Sequence, residues 1–205
     1  MLLYFTPFTC SLAVHIALRE AGLSFELEKV DAASKVTASG ADFRAVNPLG
    51  YVPVLVLDDG TSLTEVSSIL QWVADRAPGS GLAPAAGTPE RYQLQSWLNF
   101  IATEVHKLFS TLFHPKAPPE WKEVILGQLR TRLDHLEPRL AAAPYLMGES
   151  LTIADLYLFV VLGWTRAIKF DLAPWPALQA FVKRVAERPT VKESTGLEKQ
   201  RLAAG

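Results

Sequence analysis

The chain has 205 residues, 49% hydrophobic and 20% charged, a globular composition long enough to bury a core without covalent staples, in one or two domains. Lys and Arg number 20 against 21 Asp and Glu, a formal net charge of −1, so nothing attracts a phosphate backbone and nucleic acid is not expected as a partner. A single cysteine, Cys10, rules out an intramolecular disulfide, and four histidines without HExxH or CxxC spacing point to no metal.

The elements follow in chain order. Met-Leu-Leu-Tyr-Phe-Thr-Pro at the start has no positive segment and meets a proline too early for a signal peptide. Leu2 to Phe5 reads as a buried strand ended by Thr6-Pro7. Ser11 to Ala21 carries Leu12 and Ile16, Ala13 and Ala17 at helical spacing, with Gly22 placed as a left-handed C-cap. Phe25 to Val30 partly alternates, so strand, helix and strand form a βαβ unit with parallel strands and a right-handed crossover. Gly40 to Val46 has room for a short helix that Asn47-Pro48 ends. Pro53 opens the run Val54 to Leu57, Asp58-Asp59-Gly60 is a hairpin turn, and Ser62 to Thr64 returns. Ser67 to Ala77 is helical again.

Pro78 to Pro84 and Gly87-Thr88-Pro89 make the clearest break in composition, and no convincing strand follows it. We therefore expect an α/β domain over 1–77, a linker over 78–88 and an all-α domain over 89–205. Thr88-Pro89 is an N-cap and N1 pair that starts a long helix closing near His114-Pro115. A second helix begins near Glu120, with a kink or an early end expected at Pro138. Thr152 and Asp155 form a capping box opening an apolar helix to about Ile168. The last clear helix is Ala177 to Glu187. The longest apolar run, Leu156 to Trp164, is half the length a membrane span needs, which points to a soluble cytoplasmic protein with no membrane partner.

Five groups of residues carry chemistry. Cys10 lies where a strand meets the first turn of a helix, a place whose free N–H groups favour a thiolate; a lone cysteine is otherwise a small buried hydrophobe. Ser11 beside it reads first as a plain cap. No second cysteine stands three residues on, so redox chemistry here would be monothiol. Pro53 at a strand start is ordinarily trans; if cis, it presents the backbone of Val52 to an extended peptide, which could dock as an added strand. Glu65, Val66 and Ser67 open a helix whose N–H groups suit a carboxylate, while Glu65 suits an ammonium. Asn99, Thr103 and His106 follow i, i+4, i+7 spacing and form a polar stripe without Lys or Glu, which suggests a packed, hydrogen-bonded face. Lys107 beside them reads as surface. Phe109, Phe113, Tyr157 and Trp164 read mainly as core, with some able to line an apolar pocket.

The sequences Tyr-Phe-Thr-Pro-Phe-Thr-Cys10-Ser, Asn47-Pro48-Leu-Gly-Tyr-Val52-Pro53, Leu63-Thr-Glu65 and Leu151-Thr152-Ile-Ala-Asp155, in this order of elements, resemble the cytosolic glutathione transferases over essentially the whole chain. Cys10-Ser11, Lys35 and Asn99 with His106-Lys107 resemble the bacterial beta class in particular. The resemblance implies a thioredoxin-like N-terminal domain (βαβ-ββα) that binds glutathione, and a helical domain that forms a pocket for a hydrophobic electrophile. It implies that glutathione lies extended against Val52 with Pro53 cis, that Glu65, Val66 and Ser67 hold its γ-glutamyl end, and that Lys35 reaches its glycyl carboxylate. Cys10, assisted by Ser11, lies beside the glutathione sulfur, and Asn99, Thr103, His106 and Lys107 help complete the site or a contact between the subunits of a homodimer. Phe109, Phe113, Tyr157 and Trp164 are the expected lining for the second substrate. Relatives often carry Ser where Val66 stands. The missing hydroxyl implies a weaker glutathione site, by roughly 1.5–3 kcal/mol at most.

Lowering a thiol from about 8.5 by about two units needs ~2.7 kcal/mol of differential stabilisation. A helix terminus supplies ~0.3–1 kcal/mol, so hydrogen bonds from the Cys10 turn, Ser11 or His106 would have to supply the rest. The leading reading is an enzyme in which glutathione sulfur attacks an electrophilic carbon. The alternatives are a glutaredoxin-like disulfide or peroxide reductase working through Cys10, and a non-catalytic binder of apolar ligands.

Overall fold

Leu2–Phe5 forms β1, the centre of a small sheet in the computed structural model, which describes residues 1–203. Leu3 and Phe5 are fully buried while Leu2 and Tyr4 alternate to the other face. The chain continues through α1, Ser11–Glu20, to β2, Glu26–Lys29, which pairs parallel to β1 with Leu3 opposite Leu27. β3, Val54–Val56, lies antiparallel on the other edge of β1, and β4, Ser62–Leu63, returns antiparallel to β3. The order β2-β1-β3-β4 is the expected βαβ followed by a hairpin, and α2, Val66–Arg76, closes it. The connection after β2 makes only one 3-10 turn, Phe43–Ala45, capped by Asp42, which accepts from the Arg44 N–H. Its Phe43 is fully buried and packs against Tyr4, ring centroids 5.3 Å apart, so both faces of the sheet are covered. This is why β1 reads as a continuous apolar run.

The largest departure from expectation is at the C-terminus. Beyond the anticipated last helix lies another, α8, Pro189–Ala203, which packs against α1. By internal contact the chain divides into one unit of residues 1–82 with the segment from Arg188 onward, and a second unit of residues 83–187. The helical part expected to run to 205 thus ends, as a compact unit, at Glu187. With α2 and α8 both packed on it, α1 buries every residue from Ser11 to Leu18, polar ones included. At its C-terminal end Glu20 is gripped by Arg188 through two hydrogen bonds, 2.6 and 2.7 Å, and also accepts from the Thr190 hydroxyl.

The second unit is helical throughout. Thr88 caps α3, Pro89–Phe100, by accepting from the Arg91 N–H. The helix then widens into a π-helical stretch, Ile101–His106, before resuming as α4, Lys107–Leu112. α5, Pro119–Ala142, continues past Pro138, so the early end expected there does not occur. Leu133, Leu136 and Leu140 are buried on both sides of the proline, and the carbonyl that it orphans belongs to Asp134, an exposed residue that water can serve. α6, Ile153–Gly163, begins at the expected capping box: Asp155 accepts from the Thr152 N–H, the Thr152 hydroxyl and the Leu146 N–H, each at 2.8 Å. It ends at a 3-10 turn, Trp164–Arg166, earlier than Ile168. α7, Pro176–Ala186, is capped from α5, since the Glu137 carboxylate accepts from the Ala177 and Leu178 N–H groups. Among the described residues no helix is long and apolar enough to cross a membrane.

The Arg188 contacts hold the Glu20 carboxyl below its ordinary value of 4.5 against the opposing effect of burial. A depressed carboxylate contributes stability that is fully present above the unfolded value and is lost as pH falls through the folded one. Glu20→Gln should therefore cost roughly 1–3 kcal/mol near neutral pH, between the surface and fully buried limits for an ion pair. Urea unfolding of variant and wild type from pH 7 to pH 3 checks this; the gap should narrow only below about pH 4.5.

Candidate active site

The first unit gathers its candidate residues around the start of α1. Cys10 occupies the N-cap position with helical backbone angles and makes no capping bond. Its Sγ lies 3.5 Å from the Val52 carbonyl oxygen, so the thiol donates to that oxygen. The Val52–Pro53 peptide is cis. Among the described residues the Val52 N–H has no protein partner, leaving a strand-like backbone donor for a ligand.

Glu65 closes another side. It is exposed, with φ +64° and ψ 122°, a conformation that costs a non-glycine residue on the order of 1–3 kcal/mol and marks functional sites. Its carbonyl accepts from Ser68 and Ile69, while the Val66 and Ser67 N–H groups head α2 without intrahelical partners. Val66 is buried, which explains an apolar residue at a helix start, and the half-buried Ser67 hydroxyl makes no hydrogen bond among the described residues. Lys35 lays its aliphatic stem over Gly50, within 3.5 Å of where a Cβ would stand, and so reaches the turn that leads into Val52. That turn is braced by Asn47, whose side chain donates to the Tyr51 carbonyl.

Two observations bear on the expectations for Cys10 and Ser11. Burial pushes the Cys10 thiol up to about 12; the residue's own N–H pulls the other way, the Glu65 charge adds to the rise, and the Ser11 N–H opposes it. On balance these effects favour the protonated form of the thiol. Ser11, expected as an assistant to the thiol, is fully buried and committed elsewhere. Its hydroxyl donates to the Thr6 carbonyl at 3.1 Å, accepts from the Thr6 N–H at 3.3 Å and shares a hydrogen bond with Thr9 at 2.9 Å. It ties the Thr6–Thr9 turn together.

That loop has a second anchor that the sequence did not reveal. Glu198 on α8 is fully buried; its Oε2 accepts from the Phe8 N–H at 2.7 Å, and its Oε1 lies 3.0 Å from His15 Nδ1. Arg19 Nε donates to His15 Nε2 at 3.2 Å, so Nδ1 carries the imidazole proton and donates to Glu198. Phe8 has φ +60°, held in place by this bond. The only hint in the sequence was a histidine and an arginine four apart in an otherwise apolar helix.

The second unit gathers a different set. His106 Nδ1 lies 2.6 Å from the Tyr157 hydroxyl, and its ring meets Trp164 edge-on at 4.8 Å. Phe109 contacts Phe113 and Trp164 at 5.8 and 5.6 Å. Phe109 and Tyr157 are enclosed in the core, so of the four expected lining aromatics only Phe113, 46% exposed, and the half-buried Trp164 offer surface. Burial, with the Lys107 charge adding, lowers His106 to about 4 and keeps it neutral. Asn99, Thr103 and Lys107 are exposed, and the Thr103 hydroxyl donates to the Asn99 carbonyl. The expected packed stripe does not form in the single chain: the wider π-helical turn sets His106 back from Asn99 and Thr103 around the helix. Among the described residues no three His, Cys, Asp or Glu side chains converge as metal ligands would.

Comparison with known proteins agrees with this arrangement. Residues 9–76 match the glutathione S-transferase N-terminal domain and residues 100–189 the C-terminal domain. Glutathione S-transferase GstA of Escherichia coli O157:H7 is 44% identical over 97% of this chain and 98% of its own length. The bacterial transferase BphK, solved as a ternary complex, is 56% identical with a TM-score of 0.96, covering 97% of this chain and 100% of that one. A sphingomonad glutathione S-transferase complexed with glutathione is 44% identical (TM-score 0.94; 97% and 99% covered), and the beta-class enzyme of Sphingomonas chungbukensis 42% (0.93; 97% and 98%). The chain belongs to the glutathione S-transferase family. It is a glutathione transferase similar to the bacterial beta class.

With one cysteine in the chain, alkylation reads Cys10 directly. A thiol near 12 should react with iodoacetamide at pH 7.5 more than about 100-fold slower than a free cysteine of about 8.5, and its rate should still be rising at pH 10. A rate plateau below pH 8.5 would show a stabilised thiolate instead.

Proposed function

We propose that the protein joins the sulfur of glutathione to the electrophilic carbon of small hydrophobic compounds. In this reading glutathione is held by the first unit. The Val52 backbone takes its cysteinyl part beside the cis Pro53. Glu65 and the N–H groups of Val66 and Ser67 take the γ-glutamyl ammonium and carboxylate, and Lys35 takes the glycyl carboxylate. The second unit contributes the exposed aromatic surface of Phe113 and Trp164, an environment for an apolar second substrate. His106 and Lys107 assist there, Asn99 and Thr103 belong to a subunit contact, and the working form is a cytoplasmic homodimer.

The observation that carries the choice of chemistry is the Cys10 hydrogen bond. A half-buried thiol that donates to a carbonyl oxygen is a poor nucleophile. It leaves the glutathione sulfur as the one anion the site needs to stabilise, and this favours conjugation over disulfide or peroxide reduction through Cys10. The carbon–sulfur bond forms as the leaving group departs with the bonding electrons, and the glutathione thiol proton goes to solvent.

The test is turnover of glutathione with a chlorodinitrobenzene substrate by wild type, Cys10→Ala and Glu65→Gln. Wild type and Cys10→Ala should both release chloride, with kcat within about 10-fold of each other. Glu65→Gln should raise KM for glutathione about 10-fold or more, since a charge-assisted hydrogen bond is worth roughly 1.5–3 kcal/mol. An active wild type beside a dead Cys10→Ala would move the chemistry to the thiol, and an inactive wild type would remove the proposal.

A further inference from the structure

We propose that Asp31 is a positioning residue for Lys35: it closes the turn between β2 and Phe43–Ala45, holds Lys35 in a left-handed conformation across Gly50, and so makes the site select a peptide with a free C-terminal carboxylate. This deepens the glutathione-binding reading and rests on it. Asp31 stands two residues past β2. Its Oδ1 accepts from the Ala33 N–H at 3.1 Å, the Ser34 N–H at 2.7 Å and the Ser34 hydroxyl at 2.7 Å. These bonds, those from Ser34 most, hold the exposed Asp31 carboxyl below its ordinary value. Ser34 Oγ in turn accepts from the Val36 N–H at 3.3 Å, and the Asp31 carbonyl accepts from the Lys35 N–H at 3.0 Å. The backbone on both sides of Lys35 is thereby tied to Asp31.

Lys35 has φ +63°, a region that non-glycine residues occupy rarely. Asn and Asp tolerate it by bonding locally through a short polar side chain, which a lysine cannot do. The conformation therefore comes from its neighbours. Asp31 supplies one side of the grip, and the fully buried Phe43 supplies the other, since its N–H donates to the Lys35 carbonyl at 2.8 Å. Arg44 adds a bond of 3.3 Å to the Ser34 carbonyl. So held, the Lys35 stem from Cγ to Cε lies 3.4–3.5 Å from where a Gly50 Cβ would stand. A relaxed backbone with negative φ would turn the Cα–Cβ bond and lift the stem away. Among the described residues the Lys35 ammonium enters no ion pair, with Asp31 or with any other acid. Asp31 thus acts on Lys35 through the backbone and leaves the cation for a ligand's carboxylate. Laying a flexible stem against a turn also lowers the freedom it loses when that ligand arrives.

The test is calorimetric titration of the full-length protein, near neutral pH, with glutathione and with its ethyl ester at the glycyl carboxylate. The ester keeps the γ-glutamyl and cysteinyl parts and lacks only the charge that Lys35 would meet. Wild type should bind glutathione about 10-fold more tightly than the ester, and Lys35→Met should bind the two within about 2-fold, the loss of one charge-assisted hydrogen bond. Asp31→Ala should bring the preference down to about 3-fold or less by weakening glutathione while leaving the ester unchanged. Asp31→Asn, whose amide oxygen can accept the same bonds, should keep the wild-type preference. A purely structural role would weaken both ligands together, and that result overturns the proposal. A folded Asp31→Ala with wild-type preference overturns it as well. If Lys35→Met still prefers glutathione as the wild type does, the reading of Lys35 fails and takes Asp31 with it; if Lys35→Met loses the preference and Asp31→Ala does not, only Asp31 fails.

Discussion

Glu198 is a carboxylate with no exposed surface, and each of its oxygens serves a different segment of the first unit. Oε1 takes the imidazole N–H of His15 in α1, and Oε2 takes the Phe8 N–H in the loop before it. Burying a carboxylate costs several kcal/mol unless its lone pairs are met, and removing one partner of such a set leaves the others buried and unpaired. The pairing therefore ties α8 to α1 and to the Phe8–Cys10 loop in a single register. The Ser11 hydroxyl braces the same Thr6–Thr9 turn, which carries the left-handed Phe8. The position of Cys10 depends on a residue 188 places further along the chain, and this also explains why α8 associates with the α/β unit.

The same closeness decides the electrostatics of the thiol. A helix N-terminus stabilises an anion by ~0.3–1 kcal/mol. Taking a charge out of water costs several kcal/mol, and Glu65 adds a negative charge within range. The balance favours the protonated thiol, which donates a hydrogen bond to the Val52 carbonyl. What the first unit leaves as backbone donors without a protein partner among the described residues are the Val52, Val66 and Ser67 N–H groups. It generates no anion of its own, which suits a co-substrate that brings one.

How far the sequence could be read follows from which forces shape each element. β1, α1, β2 and the β3–β4 hairpin are set by apolar runs, a C-cap glycine and the Asp58-Asp59-Gly60 turn, all of them local signals. The Thr152–Asp155 capping box was legible for the same reason. α8 was not, because the side chains it buries include Ser194 and Glu198 and it has almost no apolar stripe to announce it. The π-helical stretch was invisible too: Asn99, Thr103 and His106 keep perfect α-helical spacing in the sequence, and only packing against Tyr157 and Trp164 shows that the turn is wider. At Pro138 the early end does not occur, since burial of Leu133, Leu136 and Leu140 outweighs one lost backbone bond. In the candidate site, the cis Pro53 followed only from the family resemblance, while the surroundings of the Cys10 thiol and the Ser11 hydroxyl were not legible, because both depend on what packs around them in three dimensions.

His15 and His106 make the point in its sharpest form. Both are single histidines on helices; the polar stripe with Asn99 and Thr103 marks His106 in the sequence, but nothing there says how many nitrogens of either ring are met. Their partners do. His15 has both nitrogens occupied, one by a buried carboxylate and the other by an arginine, so it has nothing left to offer a ligand. His106 has one nitrogen held by a phenol and the other open, with aromatic rings fixing its plane. A fully satisfied ring stabilises the fold at the entrance to α1, whereas the ring of His106 keeps one nitrogen without a protein hydrogen bond among the described residues. The difference between the two is a count of unmet lone pairs and protons, which is a property of the fold and is fixed only when α6 and α8 take their places.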